Sequence, residues 1–267
     1  MGAPLRAWIV RCTVTFAVIA FIGLVLRQPW PLLGKVMLFA SAIVPATLLA
    51  YRFLPAFDLL GRIRWRLPHQ AREKRCALTF DDGPSEATRV LLDILASEGV
   101  SATFFVLGAN ARRYPDTVRR AQADGHALGI HGMTHVKLAR ADAATVEQQV
   151  VNAMQTLAQL GVRAAPIYRT PHGLKSPGVF AVARRYGLTL WAWSRGVWDT
   201  DRPDSMVLVR RATRLARSGM VLLLHDGRGD ELHPDVAPML AALPAIIREL
   251  KRRGFSFVRL AELQSSV

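Results

Sequence analysis

The sequence predicts an α/β fold with a parallel sheet, preceded by a helical membrane hairpin. Three observations carry this. From Cys76 onward short apolar runs alternate with helical patterns, reactive side chains fall just after those runs, and the first 57 residues contain no Asp or Glu but two long apolar stretches. Strand–helix alternation implies a parallel sheet, and seven units are enough to close it into a barrel. A doubly wound open sheet is the alternative, which periodicity alone does not separate from the barrel.

The apolar stretches are Trp8–Leu26 and Leu32–Tyr51, 19 and 20 residues long, which fits a bilayer core. Each carries one charge near its start, Arg11 and Lys35, able to snorkel toward headgroups. Arg27-Gln28-Pro29-Trp30-Pro31 between them makes a short turn with an interfacial Trp. A cleaved signal peptide fits poorly, because that turn replaces small residues and a second apolar run follows. Pro45 predicts a kink or a re-entrant path. Residues 1–57 therefore read as a membrane hairpin, 58–75 as a basic juxtamembrane linker and 76–264 as the catalytic domain.

From Arg52 to Arg75 seven basic residues stand against Asp58 and Glu73, a block suited to anionic headgroups. The net charge of +15 thus points to membrane lipid as a partner. Nucleic acid is not expected, since no aromatic-interleaved basic motif or zinc-finger spacing is present. The bias of basic residues toward the ends of the hairpin places both termini, and the catalytic domain, on the cytoplasmic face of a bacterial-type cell membrane. Cys12 and Cys76 fall in a membrane stretch and a core strand, so they say little about redox compartment.

Strands are expected at Cys76–Phe80, Ala102–Val106, Ala127–Ile130, Ile167–Arg169, Thr189–Trp193, Val221–Leu224 and Phe255–Val258. Helices are expected at Ser85–Ser97, Pro115–Asp124, Thr145–Leu160, Pro177–Tyr186, Ser205–Ala216 and Val236–Arg252. Ser85 is an N-cap candidate, Pro115 and Pro177 suit a first turn, and a glycine follows most of the helix ends.

The first strand runs into Asp81-Asp82-Gly83-Pro84. Adjacent side chains at a strand end point in different directions, so one carboxylate can bind a metal while the other moves protons. His131 and His135 follow the third strand four residues apart; on a helical turn that spacing puts both on one face, able to grip a cation. With one Asp they make a three-ligand set with an open position, the pattern of catalytic zinc. His126 precedes its strand and is expected at the far end of the barrel in a structural role. Arg169 ends the fourth strand beside Pro171 and Gly173, placed to pair with a site carboxylate. His225 sits at the mouth of the wholly apolar sixth strand, suited to acid/base work near neutrality. All these groups lie at carboxyl ends of strands, one rim of a parallel barrel.

Thr79-Phe80-Asp81-Asp82-Gly83-Pro84, His131 to His135, Arg169-Thr170-Pro171-His172-Gly173 and Leu223-Leu224-His225 resemble, in that order, four motifs of the polysaccharide deacetylases with a NodB homology domain, carbohydrate esterase family 4. The resemblance covers roughly Cys76 to Leu263 and implies a distorted (β/α)₇ barrel. It makes Asp81 the catalytic base, Asp82, His131 and His135 ligands of a divalent metal (most often zinc, with other transition metals admissible), Arg169 the residue orienting Asp81, and His225 the catalytic acid. It also implies that the His172 backbone N–H receives the oxyanion and that Pro171, His172 and Gly173 line the substrate site; Leu223 is expected to line the pocket for the acetyl methyl, and Trp193 and Trp198 to stack on sugar faces.

Two positions depart from the family pattern. Where the fourth motif usually has Asp-x-x-Asp-Trp, this chain has Ser194-Arg195-Gly196-Val197-Trp198, so Asp199, Asp201 or Asp226 is expected to supply the orienting carboxylate. Gly132 stands where Ser or Thr is common. The expected function is metal-dependent removal of the N-acetyl group from an amino-sugar glycan or lipid-linked saccharide. A deformylase of a lipid-linked amino sugar, or an inactive glycan-binding module on the same fold, are the alternatives. A phosphatase is discounted, because such sites use Asp-x-Asp and these acids are adjacent.

Overall fold

The computed structural model describes residues 27, 29–41, 63–68 and 73–264. Its organising strand is β1 (Lys74–Asp81), buried along its last six residues. β1 pairs in parallel with β2 (Thr103–Val106), with β7 (Met220–His225) and, at its start, with β8 (Phe255–Phe257). β3 (Ala127–Ile130), β4 (Ile167–Tyr168) and β5 (Thr189–Leu190) extend the sheet past β2, and β6 (Arg195–Gly196) follows β7 at the other end. Every pairing is parallel, and helices cover the sheet. This explains why β1 and β7 read as unbroken apolar runs: strands buried on both faces show no alternation.

The helices are α1 (Glu86–Ser97), α2 (Gly108–Arg113), α3 (Pro115–Ala123), α4 (Ala143–Gln159), α5 (Pro177–Arg185), α6 (Ser205–Thr213) and α7 (Ala237–Arg252). The Ser85 backbone N–H donates to Thr88 Oγ1 at 2.8 Å, as an N-terminal boundary requires. Two elements go beyond the sequence reading. α2 is one and a half turns beginning on glycine, and β6 is a two-residue strand of Arg and Gly; neither carries a periodic apolar signal.

The expected closed barrel is instead a curled sheet whose path starts at β5 and ends at β6, with no pairing between those ends among the described residues. The gap is crossed by residues 63–68. Arg64 forms a parallel bridge with Trp191, and Leu67 N–H donates to Gly219 O at 2.9 Å, just before β7. Ile63 and Leu67 are buried in doing so. These residues fall within the stretch whose charge marks it as a juxtamembrane linker.

Residues 1–50 form a separate unit. Within it residues 32–41 are helical, with Leu32, Leu33, Val36 and Met37 exposed. The first predicted span and the second beyond residue 41 lie outside the described residues. Among the described residues no helix is long and apolar enough to cross a membrane.

Candidate active site

β1 ends by turning sharply. Asp82 takes φ +74°, a left-handed conformation that Asp tolerates better than most residues. Its backbone O accepts from Asn110 Nδ2 at 2.7 Å, and its Oδ2 accepts from Gly229 N at 3.0 Å. That leaves Oδ1 aimed at the imidazoles, 3.2 Å from His131 Nε2 and 3.1 Å from His135 Nε2. Asp82 Oδ1 is buried and makes no hydrogen bond.

His131 Nδ1 stands 2.8 Å from Arg169 O. A carbonyl only accepts, so Nδ1 carries the proton and a neutral His131 presents its Nε2 lone pair to Asp82. Two lone-pair atoms facing each other at that distance need a proton or a cation between them. Ligands about 2.0–2.1 Å from a tetrahedral ion stand about 3.3 Å apart, so the set fits a divalent metal on spacing as well as on donor chemistry. Asp82, His131 and His135 are the group of potential ligands that converges among the described residues.

Without an ion, protons take its place. Burial works against charge on Asp82, but His131, His135 and His225 outweigh it and hold the carboxyl well below its usual range. Burial likewise opposes charge on His131, while Asp81 and Asp82 raise it overall. Burial dominates at His135 and pushes it down to about 4, which keeps its lone pair available for a metal.

The two histidines do not share a helical turn, contrary to expectation. Residues 131–137 form a loop. Gly132 at φ +96° turns it, and Gln149 Oε1 accepts from the backbone N–H of Met133 and Thr134 at 3.0 and 2.8 Å. The glycine in place of Ser or Thr is thus a conformational requirement.

Asp81 is held by Arg169, whose Nη1 donates to Asp81 Oδ1 at 2.7 Å and to Thr79 Oγ1 at 2.8 Å. Arg169 Nη2 reaches Ala192 O at 2.9 Å, and the guanidinium lies 4.1 Å over the Phe105 ring. The whole side chain is buried, so its direction is fixed by β1, β2 and the segment after β5. Asp81 and His225 are register partners on adjacent strands. His225 Nδ1 lies 3.0 Å from Asp199 Oδ1, and its backbone N–H donates to Asp199 Oδ2 at 2.7 Å. Burial opposes protonation of His225, yet Asp199 and then Asp81 and Asp82 raise it to about 9.

Of the three acids considered for this task, Asp199 is the one in contact with His225. Asp201 is exposed, and Asp226 is buried behind the Asp81–Asp82 turn, receiving Thr88 Oγ1 at 2.7 Å.

A groove opens beside His225 and Asp199, lined also by Trp65, His172, Trp193, Trp198 and Leu223 among others. Among the described residues four non-glycine residues have positive φ, and three of them, Asp82, His172 and Trp198, belong to this site; backbone strain of this kind concentrates where function requires it. Pro171 is buried beneath the groove, and a Cβ on Gly173 would meet the Trp193 ring at 2.7 Å. Trp191 is buried in the core. His126 is structural, as expected: its Nδ1 accepts from Ala102 N at 3.1 Å, and burial pushes it down to about 4. Asn110, Gln149 and Gly229 support the site without having stood out in the sequence, since each is a common residue acting across more than a dozen positions.

The polysaccharide deacetylase family model matches residues 69–191, which include Asp81, Asp82, His131, His135 and Arg169 but stop before Asp199 and His225. The peptidoglycan-N-acetylglucosamine deacetylase of Bacillus cereus is 32% identical over 206 residues, 76% of this chain and 93% of that protein. The chitooligosaccharide deacetylase of Bradyrhizobium sp. is 36% identical over 194 residues, 70% and 89% of the two chains. The structure of a family 4 carbohydrate esterase from Streptomyces lividans in complex with acetate superposes with a TM-score of 0.63 at 30% identity, over 69% of this chain and 91% of that one. On the strength of these matches, the chain belongs to the polysaccharide deacetylase family.

Proposed function

We propose that this chain is a metal-dependent carbohydrate N-deacetylase that hydrolyses the N-acetyl group of an amino-sugar glycan and releases acetate. The observation that carries the reading is the pairing of Asp81, aimed by Arg169, with His225, aimed by Asp199, on neighbouring strands beside the Asp82, His131 and His135 set. Asp82, His131 and His135 would hold a divalent ion, which would supply polarisation of the amide carbonyl and, if zinc, a water of pKa ~7. Asp81 takes the proton of the attacking water, its free direction set by the Arg169 fork. The His172 N–H stabilises the developing oxyanion. His225 gives its proton to the departing amine, and Asp199 keeps Nδ1–H oriented so that Nε2 faces the groove.

The altered fourth motif was the best support for an inactive binding module, and the Asp199 contact removes it. Trp198 offers a ring for sugar stacking and Leu223 an apolar wall for the acetyl methyl. The N-terminal apolar stretches and the basic block after them support an anchored enzyme at a bacterial-type cell membrane, with the charge bias favouring the cytoplasmic face. The test is metal analysis together with acetate release from N-acetylated glycans and lipid-linked sugars. Failure to release acetate from any of them with stoichiometric metal bound defeats the assignment.

A further inference from the structure

Beside the catalytic groove lies a second cleft, lined by Arg66, Ser194, Arg195, Leu215, Arg217 and Met220. Ser194 also lines the groove. Alternation along extended backbone explains the arrangement: Trp65 and Gly196 line the groove, while their chain neighbours Arg66 and Arg195 line the cleft. A ligand lying across Ser194 can therefore occupy both.

The cleft gathers several arginines. Elsewhere arginines such as Arg119, Arg120, Arg248 and Arg253 pair with carboxylates. Among the described residues, Arg66, Arg195, Arg214 and Arg217 have no such partner. Arg195 Nη2 donates to Leu215 O at 3.3 Å, which anchors one side of the fork. Burial first, then repulsion from Arg214 and Arg217, depresses the Arg195 pKa, so these guanidiniums are close enough to repel. Like charges brought this close repel, and an anion among them relieves the repulsion.

We propose that this cleft binds a phosphoryl group carried by the substrate itself, so that the preferred substrate is an N-acetylated amino sugar joined to phosphate or diphosphate. This deepens the deacetylase reading and rests on it. Several guanidinium forks suit a group with two negative charges and three acceptor oxygens, whereas a carboxylate satisfies a single fork. The shared Ser194 wall puts that anion next to the sugar being deacetylated. The same chemistry could be offered by a lipid headgroup that is no part of the substrate, and the experiment separates the two sources.

Acetate release is measured from a chitooligosaccharide and from the same saccharide bearing a 1-phosphate, with the wild type, Arg66→Gln and Arg217→Gln. Both residues are exposed, and the ratio of the two KM values cancels any loss of folded enzyme. The wild type is expected to show a KM about tenfold or more lower for the phosphorylated saccharide, a preference that shrinks in each variant and at high salt. Inorganic pyrophosphate should compete with that substrate in the wild type and not in the variants. Equal KM values in the wild type, or a preference untouched by both substitutions, overturn the proposal. Binding to phosphatidylglycerol vesicles that falls in the variants while the substrate ratio stays put assigns the cleft to headgroups and also overturns it. If neither saccharide is deacetylated the deacetylase reading itself fails, and pyrophosphate binding by calorimetry, lost in both variants, still reads the cleft alone.

Discussion

The two sides of the site are built by different means. On the metal side, Asp82, His131 and the Arg169–Asp81 pair hang from the ends of β1, β3 and β4 and are almost wholly buried. On the acid side, β6 is two residues long, and a turn with left-handed residues at Trp198 and Arg202 brings Asp199 to His225. One side is fixed by the sheet alone, and the other adds a loop aspartate that makes two hydrogen bonds to the end of β7. The metal side therefore has little freedom to vary, while the acid side can draw its carboxylate from a different chain position provided the contact is remade. The chain follows the family's motifs on the first side and departs on the second.

The largest effects are expected on the metal side. Asp82→Ala and His131→Ala should each lose bound metal and reduce acetate release to background, because each removes one of three converging ligands. Metal analysis of purified variants checks this; stoichiometric metal in a His131→Ala, His135→Ala double variant rejects the site. Next comes Asp81→Asn, which should keep metal but lose ~10²–10⁴-fold in kcat, the usual share of general base catalysis. Near-normal turnover in that variant would transfer the role of base to another group.

The acid side is sharpened by Asp199→Asn. His225 stands near 9 chiefly through Asp199, with Asp81 and Asp82 adding to it, so the proposed acid keeps its proton through neutral pH and the activity of the wild type should fall only as pH rises toward 9. With that carboxylate removed, burial dominates, and the falling limb moves to lower pH. The loss in kcat should be large at pH 8 and partly recovered at pH 6, where the imidazole regains its proton. An unchanged pH profile means that Asp199 does not tune His225. Asp201→Asn, at an exposed position, is the control and should stay within about twofold, as surface substitutions do.

The same contrast explains what was legible in the sequence. The strands of the metal side announce themselves, since buried parallel strands are apolar runs and each is followed directly by its reactive residue. Cys76–Phe80 and Val221–Leu224 were found within two residues of β1 and β7 for this reason. β6 has no apolar run to find, so the choice among Asp199, Asp201 and Asp226 rested on proximity in sequence and stayed open. The supports from Asn110 and Gly229 span 28 and 147 positions to Asp82, and no local pattern encodes a contact over that range. The closure by residues 63–68 was hidden differently: their arginines read as a membrane-facing charge pattern, while the apolar Ile63 and Leu67 between them do the packing.

Asp226 touches both sides and gives the smallest expected effect on activity. Its backbone N–H donates to Asp81 O at 3.2 Å, its backbone O accepts from Ser85 Oγ at 2.5 Å, and a Cβ on Gly83 would collide with its carboxyl group. Its Oδ2 is held by Thr88 Oγ1, but its Oδ1 is buried without a partner. Burial chiefly, with Asp82 and Asp81 adding repulsion, pushes this carboxyl up to about 7. Because that lies above the 3.8 of a free Asp, the folded chain keeps a proton that the unfolded chain has released between about pH 4 and 7. Stability must then decline as pH rises through that window, by on the order of a few kcal/mol. Asp226→Asn keeps the shape and removes the titration, so its Tm relative to the wild type should rise from pH 5 to pH 8, with kcat little changed. A divalent ion on Asp82 cancels part of the repulsion felt by Asp226, so chelator-treated protein should show the steeper pH dependence. A Tm difference independent of both pH and metal means that Asp226 acts as packing alone and that the two sides of the site are not coupled through it.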